Sequence, residues 1–389
     1  MPKIEGNEIF KDPRHLEYHK KLRSMNLAEG FSYDAGELRP RPYWPTEPVN
    51  DVQACLWRWH DLRDVIREAG ELVGLGHGGL KYDRRVIALT NPGLSNEYAI
   101  TSSFFADFQL IQPGESTPSH RHTPCASRFI FEGEGWTTVG DEKVYFKPND
   151  IVFTGQNPWH NHGNSADSKS DLLFLDVLDI PLLQYLGVSK WEFDYWTVTG
   201  DKNDHHTPVR MADFENEKYT KSHLRPRFNT WKRNAKDFAH LKWEDARESL
   251  MALKDEEGSL HDGILLEFTN TETGGSVGPT MSIFTQMLRP GEKTLEHRHT
   301  SQTIYIGVEG KGKLVLEGRE IEWGPHDVFV VPSWMWHRHE NLSTDSPAFM
   351  HSISDATVAA KLNMFREQKK MPDGGVEDSM WQSQYLRNY

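Results

Sequence analysis

The sequence predicts a mainly β protein built from two equivalent small antiparallel barrels with peripheral helices. Two observations carry this. First, a His-Arg-His segment occurs twice, at His120-Arg121-His122 and at His297-Arg298-His299. The landmarks around it recur at a fixed interval: His120 shifts to His297, His122 to His299, His160 to His337 and Asn164 to Asn341, each by 177 residues. Pro113-Gly114-Glu115 likewise becomes Pro290-Gly291-Glu292, and Gly133-Glu134-Gly135 becomes Gly310-Lys311-Gly312. Second, from about Ser102 to Asp179 and again over roughly 281–353 the chain reads as short strands separated by Gly, Pro and Asp turns. The chain is therefore an internal duplication of a histidine-bearing unit.

Composition sets the outer limits. A chain of 389 residues buries one or two sizeable cores, and 37% hydrophobic with 26% charged residues fits a globular protein. A formal net charge of −13 argues against a nucleic-acid surface, which needs basic groups to replace counterions. A small anionic ligand is not excluded, because it feels only the local field of a pocket. Cys55 and Cys125 are too few for a disulfide framework. No apolar run is long enough to span a bilayer, and Met1-Pro2-Lys3 opens no signal-peptide pattern, so a cytoplasmic location without membrane contact is expected.

In chain order, residues 1–95 read as an arm and helical lead-in. Asp12–Leu27 predicts a charged helix, whereas the prolines of Arg39–Pro48 force an extended arm suited to wrapping its own domain or gripping a neighbour. Helical spacing returns over His60–Leu72, and Arg85–Thr90 reads as a strand before the Asn91-Pro92-Gly93 turn. Residues 96–190 form the first barrel unit and 191–275 a connector, with a helix over Trp243–Lys254 and a strand over Ile264–Phe268. Residues 276–355 form the second unit. A helix over Asp355–Gln368 and a tail complete 356–389.

The histidine spacing points to metal. On a helix, positions two apart diverge by about 200°, whereas on a strand they share a face. Each His-x-His precedes a strand-like run, Ser127–Phe131 or Ile304–Val308, and a third histidine arrives 38 residues after the second of the pair, as in His122 to His160. The expected ligand sets are His120, His122 and His160 in the first unit, and His297, His299 and His337 in the second. Three imidazoles leave other metal positions open for ligands.

Gly followed by His-x-His, a further Gly eleven residues on, and a later His with Asn four beyond resembles the paired motifs of the cupin superfamily. Two jelly-roll barrels, a bicupin, are what that resemblance implies. The usual fourth ligand, a Glu four residues after the second His, is replaced by Ala126 and Thr303. His120-Arg121-His122-Thr123, the run Arg128–Gly135, Leu178-Asp179-Ile180-Pro181 and Asn91-Pro92-Gly93-Leu94 together resemble the gentisate 1,2-dioxygenase family, which includes salicylate and 1-hydroxy-2-naphthoate dioxygenases. The resemblance implies an Fe(II) enzyme that opens the ring of an ortho-hydroxy aromatic acid with O2, between the carboxyl-bearing and hydroxyl-bearing carbons. It also suggests a homo-oligomer, a tetramer. Rival readings are a different bicupin metalloenzyme, such as a manganese decarboxylase or an isomerase, and a non-catalytic cupin binding protein. The missing Glu and the six retained histidines speak against them.

Charge supports the substrate class. Three neutral imidazoles leave a divalent ion its full charge, which favours a doubly anionic chelate such as a carboxylate with an ionised phenol. Parity then selects Arg128: position 126 must face inward, so 128 does too, where an arginine can grip a carboxylate. Its alternative is a rim salt bridge. Under the 177-residue shift Arg128 becomes Tyr305 and Asp176 becomes Ile353, so the polar groups belong to the first unit, which is expected to be the catalytic one. Asp176 is expected to hydrogen-bond a ring substituent or move a proton. One of Arg84 and Arg85 is expected to reach the substrate carboxylate, the alternative being a surface charge pair, and strand alternation does not say which. Gln109 matches a pocket position of the family, and Phe104, Phe105 and Trp136 are candidates for the wall at the far side of the ring. His162 is a candidate catalytic group, although its counterpart His339 shows that the pair can serve the fold alone.

Overall fold

A computed structural model describes residues 13–27, 47–75, 84–94, 98–140, 142–193, 195–200, 238–270 and 273–380. Most of the proline-rich arm and the polar loop at 202–206 lie outside these residues. The helix Pro13–Ser24 belongs to a unit of its own, Met1–Val49, and the two barrels form a second compact unit, Asn50–Tyr389.

In the first barrel a six-stranded sheet runs in the order Phe238–Leu241, Ile151–Thr154, Ala126–Glu132, Leu172–Leu178, Phe105–Ile111, Val86–Ala88. Facing it are Glu142–Phe146, Gly135–Val139 and His160–Gly163, with the short pair Arg121–His122 and Trp191–Glu192. The second barrel repeats this with Leu56–Trp57, Val328–Val331, Thr303–Glu309, Ala348–Ser354, Ser282–Leu288 and Ile264–Phe268 in order. Its opposing sheet contains His337–Asn341 and His297–His299 and is extended by the hairpin Arg366–Lys370 and Val376–Met380. All pairings within these sheets are antiparallel.

Alternation sorts the side chains. On the first barrel's large sheet Ala106, Phe108, Phe129, Phe131, Leu175 and Val177 point outward, into one core shared with Met281, Ile283, Ile304, Val328 and Ile353 of the second barrel. The other face looks into the barrel, where Ile111, Ile130, Val152, Leu172 and Phe174 fill one end. Both faces being buried explains why these strands read as continuous apolar runs rather than clean alternation.

The shared landmarks have structural reasons. Gly133 and Gly310 take φ of +76° and +80°, and a Cβ on Gly133 would lie 2.2 Å from the Asp171 carbonyl oxygen. Asn164 Nδ2 donates to the carbonyls of Ile111 and Ser170, as Asn341 does to those of Leu288 and Ser346. The interval is not constant to the end, however. Leu172–Leu178 corresponds to Ala348–Ser354, a shift of 176, so the loop after Asn341 is one residue shorter. Asp176 and Ser352 hold the same place opposite Arg128 and Tyr305, and the expected equivalence of Asp176 with Ile353 is corrected to Ser352.

The duplication also reaches the lead-ins, where the shift is 184: Trp59 corresponds to Trp243 and Arg63 to Arg247. The Trp59 amide donates to Asp327 Oδ1 and the Trp243 amide to Asp150 Oδ1, both at 2.9 Å. Each lead-in thus forms an edge strand of the other repeat's barrel and then a helix on its own. Leu56–Trp57 pairs with Val328–Val331, and Phe238–Leu241 with Ile151–Thr154.

The helix expected over Asp355–Gln368 stops at Lys361, because Asn363 takes a φ of +58° and Arg366–Lys370 turns into a strand. The strand Val376–Met380 pairs with it, so the expected tail is ordered through Met380.

Candidate metal centre and substrate pocket

His120, His122, His160 and His162 converge in the first barrel, all at most 4% exposed, with His162 5.9 Å from the Phe174 ring of its apolar plug. The bridge between His120 and His160 sets their rings 4.0 Å apart, centroid to centroid. His122 lies 5.3 Å from His120 and 4.8 Å from His160. The nitrogens of His120, His160 and His162 all lie within 4.8 Å of one another, so His162, expected outside the ligand set, joins the tightest trio. In the second barrel the trio is His297, His299 and His337, the counterparts of His120, His122 and His160.

Hydrogen bonding separates the roles. His122 Nδ1–H donates to the Pro124 carbonyl at 2.7 Å and His160 Nδ1–H to the Pro158 carbonyl at 2.8 Å. A carbonyl only accepts, so each ring carries its proton on Nδ1 and presents a bare Nε2. His160 Nε2 and His120 Nδ1 are buried without a hydrogen-bond partner among the described residues, as expected of atoms that ligate metal. His162 Nδ1 instead lies 2.9 Å from Thr137 Oγ1, which accepts from Arg128 Nη1 at 3.2 Å. Burial holds all four imidazoles neutral: His122 is pushed down to about 4 and the others well below their ordinary value. The donors therefore fit a divalent metal.

Asp107, Asp176 and Arg128 stand abreast on three neighbouring strands and face inward. Arg128 Nε and Nη2 meet the two oxygens of Asp176 at 2.9 and 3.0 Å, and Gln109 Nε2 donates to Asp176 Oδ2 at 3.0 Å. The guanidinium also lies 5.0 Å over the Phe174 ring. Arg128 is thus inward as parity requires, but its two-pronged edge is committed to Asp176; only its remaining Nη donors are available to a ligand. Asp176 is correspondingly a partner of Arg128 before it is a contact for substrate.

The two arginines are resolved. Arg85 is buried, meets both oxygens of Glu115 at 2.6 and 2.8 Å and donates to the Leu110 carbonyl, so it is a structural residue away from the pocket. Arg84 is the one whose charge is felt by His120, His122, His160, His162, Asp107 and Asp176, and its guanidinium lies 5.8 Å over the Phe193 ring. Trp136 departs from expectation: Thr137 takes the inward position, so Trp136 turns outward, covering Gly163 with Lys143 Nζ 3.8 Å from its ring centroid. Phe105 shares the inward face with Asp107 and Gln109, whereas Phe104 is buried in the core between the barrels.

Two residues were missed. Trp191 lies 4.4 Å from the His122 ring and stacks 6.4 Å from His120, brought there by pairing with His122. Asp107 is 2% exposed and its Oδ2 has no hydrogen-bond partner among the described residues. Burial and the neighbouring Asp176 push its carboxyl well above the usual range. Gln109, two positions along the same strand, was a signal that Asp107 faces inward.

Two barrels carrying paired His-x-His motifs define a bicupin metalloprotein, and the cupin domain family matches residues 107–178 and 284–354. The 5-aminosalicylate 1,2-dioxygenase of Comamonas sp is 32% identical over 363 residues, 90% of this chain and 89% of that protein. The gentisate 1,2-dioxygenase 1 of Aquipseudomonas alcaligenes is 31% identical over 91% of this chain and 96% of its own length. The crystal structure of salicylate 1,2-dioxygenase from Pseudaminobacter salicylatoxidans superposes with a TM-score of 0.78 at 26% identity, covering 92% of this chain and 98% of that one. The chain belongs to the gentisate 1,2-dioxygenase family of ring-cleaving dioxygenases. Among the described residues no helix is long and apolar enough to cross a membrane.

Proposed function

We propose that the first barrel cleaves the ring of an ortho-hydroxy aromatic carboxylate with O2, on Fe(II) held by His120, His122 and His160. The observation that carries this is the juxtaposition of neutral histidines, with Ala126 in place of a carboxylate ligand, and buried Arg128. The relatives support it: their names give 5-aminosalicylate and gentisate, and the salicylate enzyme binds gentisate in its crystals. Bound iron supplies the redox chemistry that couples the acid to O2.

The protein positions and balances charge. Arg84 and the remaining Nη donors of Arg128 bind the substrate carboxylate. Asp176 and Thr137 fix the Arg128 plane, so this donor is set before the substrate arrives. His162, tied to Arg128 through Thr137, stands beside the ligands as the group that accepts or donates a hydrogen bond at the substrate oxygens. Phe105, Gln109 and Asp107 line the inward face where the far side of the ring lies.

Oxygen uptake by iron-reconstituted protein tests this across gentisate, salicylate, 5-aminosalicylate and 1-hydroxy-2-naphthoate. Consumption with a ring-opened product from at least one acid is expected. No uptake with any of them would refute the reading.

A further inference from the structure

In the second barrel the residues that make the first one a substrate site are replaced. Arg128 becomes Tyr305, Asp107 becomes Phe284 and Asp176 becomes Ser352, around a cavity of about 550 Å3 that His297, His299 and Asp262 also line. The histidines nevertheless keep an arrangement suited to metal, and two carboxylates reach them from outside the repeated motif. We propose that this barrel holds a second divalent metal ion on His297, His299, His337 and Asp262, with Glu367 orienting His297.

Each ring has its Nδ1 side anchored. His337 Nδ1–H donates to the Met335 carbonyl at 2.9 Å and His297 Nδ1–H to Glu367 Oε1 at 3.2 Å, while His299 Nδ1 is held by the Ser301 carbonyl at 3.0 Å and the Ser301 hydroxyl at 2.8 Å. The anchored Nδ1 side of each ring turns its Nε2 side inward, and His297 and His337 present bare Nε2 atoms there. His297 Nε2 and His337 Nε2 are buried in residues only 3% and 0% exposed, and neither has a hydrogen-bond partner among the described residues. Two orphaned acceptors in rings 4.4 Å apart are unfavourable unless something electropositive lies near both.

Asp262 supplies the fourth ligand. Its Oδ2 accepts from Ser259 Oγ at 2.8 Å, and its backbone carbonyl accepts from Gln286 Nε2 at 2.6 Å, which fixes the residue. Oδ1 is left 3.8 Å from His297 Nε2. In a four-coordinate site with bonds of about 2.1 Å, neighbouring ligand atoms stand roughly 3.4 Å apart, so a small contraction closes the set. By strand register the equivalent position in the first barrel is 83, since Leu265 faces Gln286 as Val86 faces Gln109, and it lies outside the described residues. Glu367 sits where the first barrel has Trp191, so among the described residues no carboxylate takes that place behind His120.

The two centres then differ in what stands behind the imidazoles, a carboxylate at Glu367 in one and the Trp191 indole in the other. Three imidazoles and a carboxylate reduce a divalent ion to a single net positive charge, and a carboxylate behind one imidazole strengthens that ligand. Such a site retains a first-row divalent ion and does not attract a dianionic chelate. This inference does not rest on the proposed reaction.

Stoichiometric titration of the chelated full-length chain with Co(II) tests it, read by metal analysis and by visible d–d absorption. Two equivalents per chain are expected, falling to one in His297→Ala/His337→Ala. Asp262→Asn, which keeps the side chain's shape, should weaken one of the two affinities by 10-fold or more, and Glu367→Gln by about 10-fold. The unaffected equivalent reports that the fold is intact. A single equivalent in the wild-type chain, or two affinities unchanged by Asp262→Asn, overturns the proposal.

Discussion

Arg128 and Asp176 face each other across neighbouring strands through contacts of 2.9 and 3.0 Å, with neither side chain more than 5% exposed. A buried pair of this kind contributes little net stability, but removing one partner strands the other charge in a low dielectric. Asp176→Ala should therefore destabilise the protein by about 3–5 kcal/mol in denaturant unfolding. Asp176→Asn should keep more of the fold but lower kcat/KM, because Arg128 loses the partner that fixes its plane.

The adjacent arginines should separate cleanly. Arg84→Ala is expected to raise KM for the acid roughly 10-fold with stability changed by no more than about 0.5 kcal/mol. Arg85→Ala should instead strand Glu115 and lower the unfolding midpoint, leaving KM in the surviving folded protein near the wild-type value. Equal effects of the two substitutions on KM would contradict the placement of Arg85.

Asp107 carries a buried oxygen without a partner among the described residues, which is unfavourable by about 1–3 kcal/mol in the free protein. Asp107→Ala should raise thermal stability and at the same time reduce turnover of acids bearing a further ring hydroxyl or amine, relative to unsubstituted salicylate. Kinetics on matched substrates together with calorimetry measure both halves of that trade.

Acid should loosen the contact between the barrels. His351 Nε2–H donates to the Asn149 carbonyl, and burial pushes this histidine down to about 4. Between pH 6.5 and 4 the unfolded chain takes up a proton that the folded chain refuses, so stability falls as pH drops. The group contributes roughly 3 kcal/mol above pH 6.5, most of it lost by pH 4. His351→Gln should flatten the dependence of the unfolding midpoint on pH over that window.

Much of this was readable in the chain. The 177-residue repeat located both histidine sets, and parity from Ala126 placed Arg128 inward, because a strand has only two faces. The same rule would have found Asp107 from Gln109. Arg84 and Arg85 were not separable, since they precede the strand Val86–Ala88 and depend on where Glu115 stands. Trp136 was misjudged because its facing depends on register with His160–Gly163, not on its own neighbours. The slip from 177 to 176 fell after Asn164, where no landmark residue remained to reveal it. Glu367 falls within the helical spacing of Asp355–Gln368, and its approach to His297 comes from a strand pairing 70 residues away in sequence.

The lead-in segments give the duplication a further meaning. Leu56–Trp57 completes the sheet of the barrel that lies far downstream, and Phe238–Leu241 completes the one upstream. Neither repeat can be excised with its own edges sealed: a cut ahead of residue 238 leaves the N-terminal fragment with a bare strand at Ile151–Thr154 and robs the C-terminal fragment of its border at Val328–Val331. Two copies that arose as equals have become mutually indispensable halves. Separately expressed fragments should pair with each other, because each carries the strand that borders the other's sheet.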